Sequence, residues 1–124
     1  MAHILITAGP TRAYIDDVRF LTNASSGRMA AALATAAIAK GHEVTIVSGP
    51  VSVRYPTEAR VKSVITTGDM LKKSLTVLPR VDGVIATAAP CDFEPKQRQK
   101  GKLPRQRGLV LDLKPTRDII ATLA

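Results

Sequence analysis

The chain has 124 residues, with 18 Lys and Arg against 10 Asp and Glu, a net charge of +8 and a single cysteine. That length fits one domain, residues 1–124, which can bury about two-thirds of its unfolded surface. No run of about 18 apolar residues argues for a membrane span, the start MAHILITAGP lacks a signal-peptide order, and Cys91 alone allows no internal disulfide, so the expectation is a cytoplasmic protein away from membranes.

HILITAG, residues 3–9, is a short apolar run that stops at Gly9-Pro10 and predicts a buried strand. Residues 10–24 form a long polar stretch without a clean period, predicted as a loop; loops of this length in compact domains are usually functional. A helix follows from SSGRM to Lys40, with Met29, Leu33, Ala36, Ala37 and Ile38 as its apolar face and Gly41 as its stop. HEVTIVSGP (42–50) reads as a second strand and RVKSVITT (60–67) as a third. GDMLKKSLTVLP (68–79) predicts a helix with Thr67 or Asp69 near its cap and Met70, Leu71, Leu75 and Leu78 inward. VDGVIATAAP (81–90) reads as another buried strand. A basic loop runs from Lys96 to Gly108, LVLDLKP (109–115) suggests a further strand at an edge, and TRDIIATLA begins a helix capped by Thr116. Strands alternating with helices give an α/β class, with a mainly parallel sheet covered on both faces. Ligands bind such sheets at the carboxyl ends of strands. The segments after Thr7, Val47 and Ala86 lie there.

The first turn of the 25–40 helix carries no acid, although helix N-termini favour negative charge. Ser25 or Ser26 can cap it, Gly27 allows close approach to the backbone, and Arg28 adds a cation. Together they make an anion site; the plainer alternative is an ordinary serine cap. The spacing is neither a P-loop nor GxGxxG. Arg19 and Asn23, four residues apart, offer a bidentate clamp and an amide. Asp92, after a predicted strand, suits a ribose hydroxyl or Mg²⁺, or a turn. Lys96, Arg98, Lys100, Lys102, Arg105 and Arg107 crowd one acid-free run, which suits nucleic acid, an acidic membrane or a phosphorylated ligand, or is a solvated loop. Only Tyr14, Phe20, Tyr55 and Phe93 are aromatic, which disfavours nucleic acid. His3 and His42 lack metal-spaced companions, and Cys91 reads as a small buried residue.

ILITAGPTRAYIDDVRFLTNASSGRMA resembles the N-terminal signature of phosphopantothenoylcysteine synthetase, the phosphopantothenate–cysteine ligase family of coenzyme A biosynthesis, whose pattern is approximately ITAGGTxxxIDxVRxxTNxSSGxMG. ATAAPCDFEP is similar to the family's AAAVADYxP, KLPR at 102–105 to its KIKK, and LDLKPTRDIIATL to its LxLxxTPDIL. The chain departs from the pattern at Ala30, at Pro90-Cys91 and at Pro104, and corresponds to the N-terminal part of the family's domain.

The resemblance implies a three-layer Rossmann-like fold and a two-step reaction. The carboxylate of 4′-phosphopantothenate attacks the α-phosphate of CTP or ATP, with Mg²⁺, to give an acyl-nucleotidylate that the amine of cysteine then attacks. It implies catalytic roles for Asn23, beside the acyl intermediate, and for Arg19 and Lys102. It implies that Ser25, Ser26 and Gly27, with Arg28, hold phosphate and that the backbone of Ala86, Thr87 and Ala88 reads the base. Asp92 takes the ribose, and Thr116, Arg117, Asp118 and Ile119 form a second base-side segment. The implied partners are the three substrates, a second copy in a homodimer and a separate phosphopantothenoylcysteine decarboxylase; a metal ligand set is not implied. A homologue that binds nucleotide without turnover is the alternative, and a basic nucleic-acid module a remote one. The basic loop is expected to be mobile without ligand and to close on phosphate.

Overall fold

The computed structural model describes all of residues 1–124. Its two most apolar runs become the centre of a sheet: β1 (His3–Ala8) and β4 (Glu43–Ser48) pair in parallel, Ile4 opposite Val44 and Ile6 opposite Ile46. β5 (Arg60–Ser63) pairs with the outer side of β4, and β6 (Gly83–Ala86) with the outer side of β1. The order β5-β4-β1-β6 is the 3-2-1-4 start of a doubly wound sheet.

Successive side chains point to opposite faces of a strand, so each central strand feeds two cores. Ile6, Ala8, Val44 and Ile46 meet Ala30 and Ala34 of α1 (Arg28–Ala39) on one face. Leu5 and Val47 meet Met70, Leu71 and Val77 of α2 (Thr67–Val77), with Ile119 of α3 (Ile119–Leu123), on the other. The result is a three-layer, Rossmann-like α/β arrangement around an all-parallel four-stranded sheet.

Several local expectations are corrected. Residues 10–24 are not irregular: β2 (Arg12–Tyr14) and β3 (Phe20–Thr22) form an antiparallel hairpin. Three-residue strands are too short to show a period, and this pair is held by an edge-to-face Tyr14–Phe20 contact at 5.4 Å with the Arg12 guanidinium 4.3 Å from the Phe20 ring. The strand expected over 109–115 shrinks to β8 (Leu113–Pro115), which pairs with β7 (Phe93–Pro95) outside the main sheet. Strand β6 is not buried. It has a neighbour on one side only, and Val84 and Ile85 are 39% and 38% exposed.

The helix ends move as well. Met29 and Ala36 of α1 face solvent, because the buried stripe runs through Ala30 and Ala34. Thr66 is the N-cap of α2, one residue before Thr67, and Asp69 completes the cap: the Thr66 hydroxyl accepts from the Asp69 N–H at 3.1 Å and the Asp69 carboxylate accepts from the Thr66 N–H at 3.2 Å. That reciprocal pair needs the Thr-x-x-Asp spacing, which only Thr66 has. The inward residues after Leu71 are Ser74 and Val77, while Leu75 is 39% exposed and Leu78 opens a single 3₁₀ turn, Leu78–Arg80. Asp118 rather than Thr116 caps α3, accepting from the Ala121 N–H at 3.0 Å.

Ser74 is fully buried and its hydroxyl has no hydrogen-bond partner. A buried, unpaired polar group is costly, and alanine is the better helix former. Ser74→Ala is expected to raise stability by about 1 kcal/mol, or roughly 4 °C in Tm. Met70→Ala, which opens a cavity at an equally buried position among Leu5, Val47, Leu71 and Val77, is expected to lower it by about 2–5 kcal/mol. Thermal melts of the two variants check both signs.

Candidate functional site

The carboxyl ends of β1 and β6 open into a cavity of about 430 Å³ walled by Thr7, Ala86, Ala88, Asp92, Thr116 and Ile119. Arg117 and Asp118 complete the wall between Thr116 and Ile119. The N–H groups of Thr87 and Ala89 are donated to the carbonyls of Thr7 and Gly9 on the β1 side. In a parallel ladder alternate residues turn both N–H and C=O the same way, so Ala86 and Ala88 present theirs to the open edge. Thr87 itself is turned away: its hydroxyl donates to the Thr7 carbonyl at 2.6 Å, and it lies outside the cavity wall. Thr67, Phe93 and Pro115 also reach the wall, and none of them carries a sequence signal for it.

Hydroxyl groups bring the two sides of this cavity together. The Cys91 carbonyl accepts from Thr116 Oγ1 at 2.7 Å and from Thr67 Oγ1 at 3.1 Å. The Cys91 N–H donates to Thr11 Oγ1 at 2.8 Å, and Thr11 and Thr67 share a hydroxyl bond of 2.7 Å. Cys91 is buried, as its small size suggested. Asp118 caps α3, so its Oδ1 is already engaged.

The start of α1 leaves backbone N–H groups open at an acid-free helix end. Gly27 sits at φ +79°, the left-handed region, and a Cβ there would meet the Tyr55 hydroxyl at 2.9 Å. The Ser26 hydroxyl accepts from the Arg28 N–H at 3.3 Å, while Ser25 makes no side-chain hydrogen bond. The first backbone bond is Ala31 N–H to the Gly27 carbonyl, which leaves the N–H groups of Met29 and Ala30 without an acceptor in the chain. No acid stands in the first turn, and Arg28 is exposed.

A second cavity, of about 550 Å³, is walled by Arg19, Lys102, Leu103, Pro104, Arg105 and Leu109. It unites Arg19 with Lys102 and adds Arg105. Beneath it lies Asp16, fully buried and missed as a site residue, although the IDDVR motif contains it. The Leu103 N–H above all, then those of Val18 and Arg19 and the Arg19 charge, hold its carboxyl at about 2 against the upward push of burial, from an ordinary 3.8. The first half of the basic loop is therefore not a free strand of chain: Gln99, Gly101 and Leu103 donate their N–H groups to Ile15, Asp17 and Asp16.

Asn23 lines neither cavity and is tied to the loop that borders the first. Its Nδ2 donates to the carbonyls of Ala89 and Pro90 at 3.1 and 3.0 Å, and its Oδ1 accepts nothing. Arg19 lines the second cavity and bonds to Asp16 and Leu103, whereas Asn23 bonds to Ala89 and Pro90, so the two side chains share no partner. No group of three or more His, Cys, Asp or Glu is placed to hold a metal ion. His3 and His42 make structural bonds, to Thr45 Oγ1 and from the Ala2 N–H, at the amino ends of the strands. No helix is long and apolar enough to cross a membrane.

Residues 1–124 match the family model described as the DNA/pantothenate metabolism flavoprotein C-terminal domain. The coenzyme A biosynthesis bifunctional protein CoaBC of Bacillus subtilis is 46% identical over 123 residues, covering 98% of this chain and 30% of that protein. A cysteine/cysteine sulfinic acid decarboxylase from an unknown prokaryotic organism is 43% identical over 122 residues, 97% of this chain and 34% of that protein. The chain thus spans about a third of the length of these curated relatives. A crystal structure of the C-terminal domain of a CoaBC protein superposes with a TM-score of 0.86 at 43% identity, covering 98% of this chain and 57% of that one. A Cab2 mutant in complex with phosphopantothenate-cysteine shares the fold, with a TM-score of 0.82 at 16% identity.

The lowered Asp16 pKa fixes the sign of an acid dependence. Its stabilising contribution is complete above the ordinary value of 3.8 and is lost as pH falls through about 2. Wild-type stability is expected to drop across that window with a step that Asp16→Asn lacks. Urea midpoints measured from about pH 5 to about pH 2 for both proteins check it.

Proposed function

The chain belongs to the DNA/pantothenate metabolism flavoprotein C-terminal domain family, and from that premise we propose that it is the nucleotide-binding part of a phosphopantothenate–cysteine ligase of coenzyme A biosynthesis. In this reading 4′-phosphopantothenate is activated by CTP or ATP to an acyl-nucleotidylate, pyrophosphate leaves, and the cysteine amine displaces the mononucleotide. The observation that carries it is the gathering of Ala86, Ala88, Asp92 and residues 116–119 around one cavity at the carboxyl ends of β1 and β6. These segments are remote in sequence, and the position is where doubly wound sheets bind nucleotides.

The division of labour follows from what each group can offer. The outward N–H and C=O groups of Ala86 and Ala88 pair with a base edge. The Asp92 carboxylate accepts from ribose hydroxyls. The unpaired N–H groups at the start of α1, with Ser25, Ser26, Gly27 and Arg28, take phosphate oxygens, and a first-turn acid would repel them. Thr116, Arg117, Asp118 and Ile119 close the base side. Lys102 and Arg19 neutralise charge where phosphate and carboxylate crowd together. Asn23 stands beside the Ala89–Pro90 carbonyls, and exchanging one of those bonds for the acyl carbonyl brings its amide to the intermediate. Mg²⁺ travels with the nucleotide phosphates, since the chain supplies no cage of its own. A homodimer and a separate phosphopantothenoylcysteine decarboxylase belong to the same proposal.

CTP or ATP with Mg²⁺ is expected to raise Tm. Ligand at about 100 times its Kd stabilises by roughly 2.7 kcal/mol. Pyrophosphate release from CTP, phosphopantothenate and cysteine tests the full reaction; nucleotide stabilisation without release leaves a binding module, and neither effect removes the proposal. Lys102→Ala is expected to weaken phosphate-ligand binding by about tenfold or more, whereas Arg98→Ala changes it little. Arg98 is already committed, 4.5 Å over the Tyr14 ring and 3.5 Å from Asp17. Titration calorimetry on the two variants separates a specific lysine from a diffuse basic patch.

A further inference from the structure

We propose that Asp16 is a positioning residue that assembles the Arg19–Lys102 cavity for a phosphoryl group, an inference that rests on the ligase reading. Both its oxygens are used, and they join two segments 87 residues apart. Oδ1 accepts the N–H groups of Val18 at 2.9 Å and Arg19 at 2.7 Å, which closes the hairpin turn. Oδ2 accepts Arg19 Nη1 at 2.9 Å and the Leu103 N–H at 2.8 Å. Arg19 Nη1 also reaches the Leu103 carbonyl at 3.2 Å. Leu103 is thus held by its N–H and by its C=O.

Gly101 is held twice as well: its N–H donates to Asp17 Oδ2 and its carbonyl accepts from the Asp17 N–H at 2.9 Å. Lys102 lies between these two anchored residues and lines the cavity. Its backbone has little freedom, although its side chain has no ion-pair partner. Arg19 spends Nη1 on the clamp, and its side chain stays 43% exposed, so the rest of the guanidinium is open to an anion.

The charge arrangement supports the same role. Arg19, Lys102 and Arg105 wall one space and repel one another before a ligand arrives. A carboxylate beneath them offsets part of that repulsion. Because Asp16 is fully buried, it does so without standing in the path of an incoming phosphate. Asparagine, neutral and of the same shape, removes the offset and replaces one of the two accepting oxygens by an NH₂ donor.

The test titrates wild-type chain and Asp16→Asn with inorganic pyrophosphate, 4′-phosphopantothenate and CMP, and follows amide exchange at Leu103. The variant is expected to lose about tenfold or more in affinity for pyrophosphate or for phosphopantothenate, whichever source the cavity serves, and to hold CMP within about twofold. Leu103 should lose its exchange protection. Equal loss of all three ligands, as a general structural defect would give, overturns the proposal, and so does loss of none. If the wild type binds none of them, the ligase reading fails. Exchange then decides alone: retained Leu103 protection in Asp16→Asn overturns the positioning role and lost protection supports it. Should that variant not fold, Leu103→Pro removes the donated N–H and leaves the carboxylate in place. The same selective loss is then expected, and its absence overturns the proposal.

Discussion

Two backbones cross at the carboxyl end of the sheet more closely than any side chain allows. A Cβ on Gly49 would lie 1.5 Å from the Pro10 carbonyl oxygen, so only glycine can occupy that position. The crossing brings the loop after β4 against the loop after β1, and the Gly49 N–H donates to the Ala8 carbonyl at 3.0 Å. From there the dependence spreads. Val51 packs beside Gly9, and Val51, Val53 and Tyr55 stand against Gly27. The start of α1, with its unpaired N–H groups, is seated by a loop whose course that contact sets.

The rest of the site is tied by short polar side chains rather than by bulk. Thr11, Thr67, Cys91 and Thr116 form one chain of hydrogen bonds joining the strand ends, the start of α2 and the segment before α3. Each hydroxyl can donate once and accept as well, so a few of them satisfy backbone groups that a loop-built wall would leave bare. Burial of unpaired polar groups is costly, which makes such a network demanding about geometry. The cavity wall at 86–92 and 116–119 is therefore rigidly related to α2, although most of its residues lie in loops.

How much of this was legible follows the length of each signal. β1 and β4 are six-residue runs centred on Ile, Leu and Val, and they read directly as strands. The acid-free start of α1 was legible within four consecutive residues, but its cap was misplaced: the N-cap is Gly27, without a side-chain cap bond, and not Ser25 or Ser26. The β2–β3 hairpin was invisible, since its cohesion comes from the Arg12, Tyr14 and Phe20 side chains across the turn rather than from any period. β6 departs from its apolar composition: within residues 1–124 no strand pairs with its outer side, and Val84 and Ile85 lie open there. Asp16 carries no local mark of burial, because its partners Leu103 and Arg19 are set by tertiary contact. The motif that contains it pointed to the region, not to its role.

Arg19 and Asn23 flank the three residues of β3, and extended chain advances about 3.3 Å per residue. Their backbones are then roughly 13 Å apart along the strand. The structure uses the separation. Arg19 reaches down to Asp16 and Leu103 at the cationic cavity, while Asn23 reaches the Ala89 and Pro90 carbonyls beside the strand-end cavity. One short strand thus carries the contacts of both regions, and a shift in its register would displace both at once. Because side chains alternate along it, a one-residue slip would also turn Phe20 and Thr22 to the opposite face. The Thr22 hydroxyl bond to the Thr11 carbonyl at 2.8 Å and the stacked Arg12–Phe20 pair both oppose that slip. The hairpin is therefore the element through which the cationic cavity and the strand-end cavity are geometrically linked.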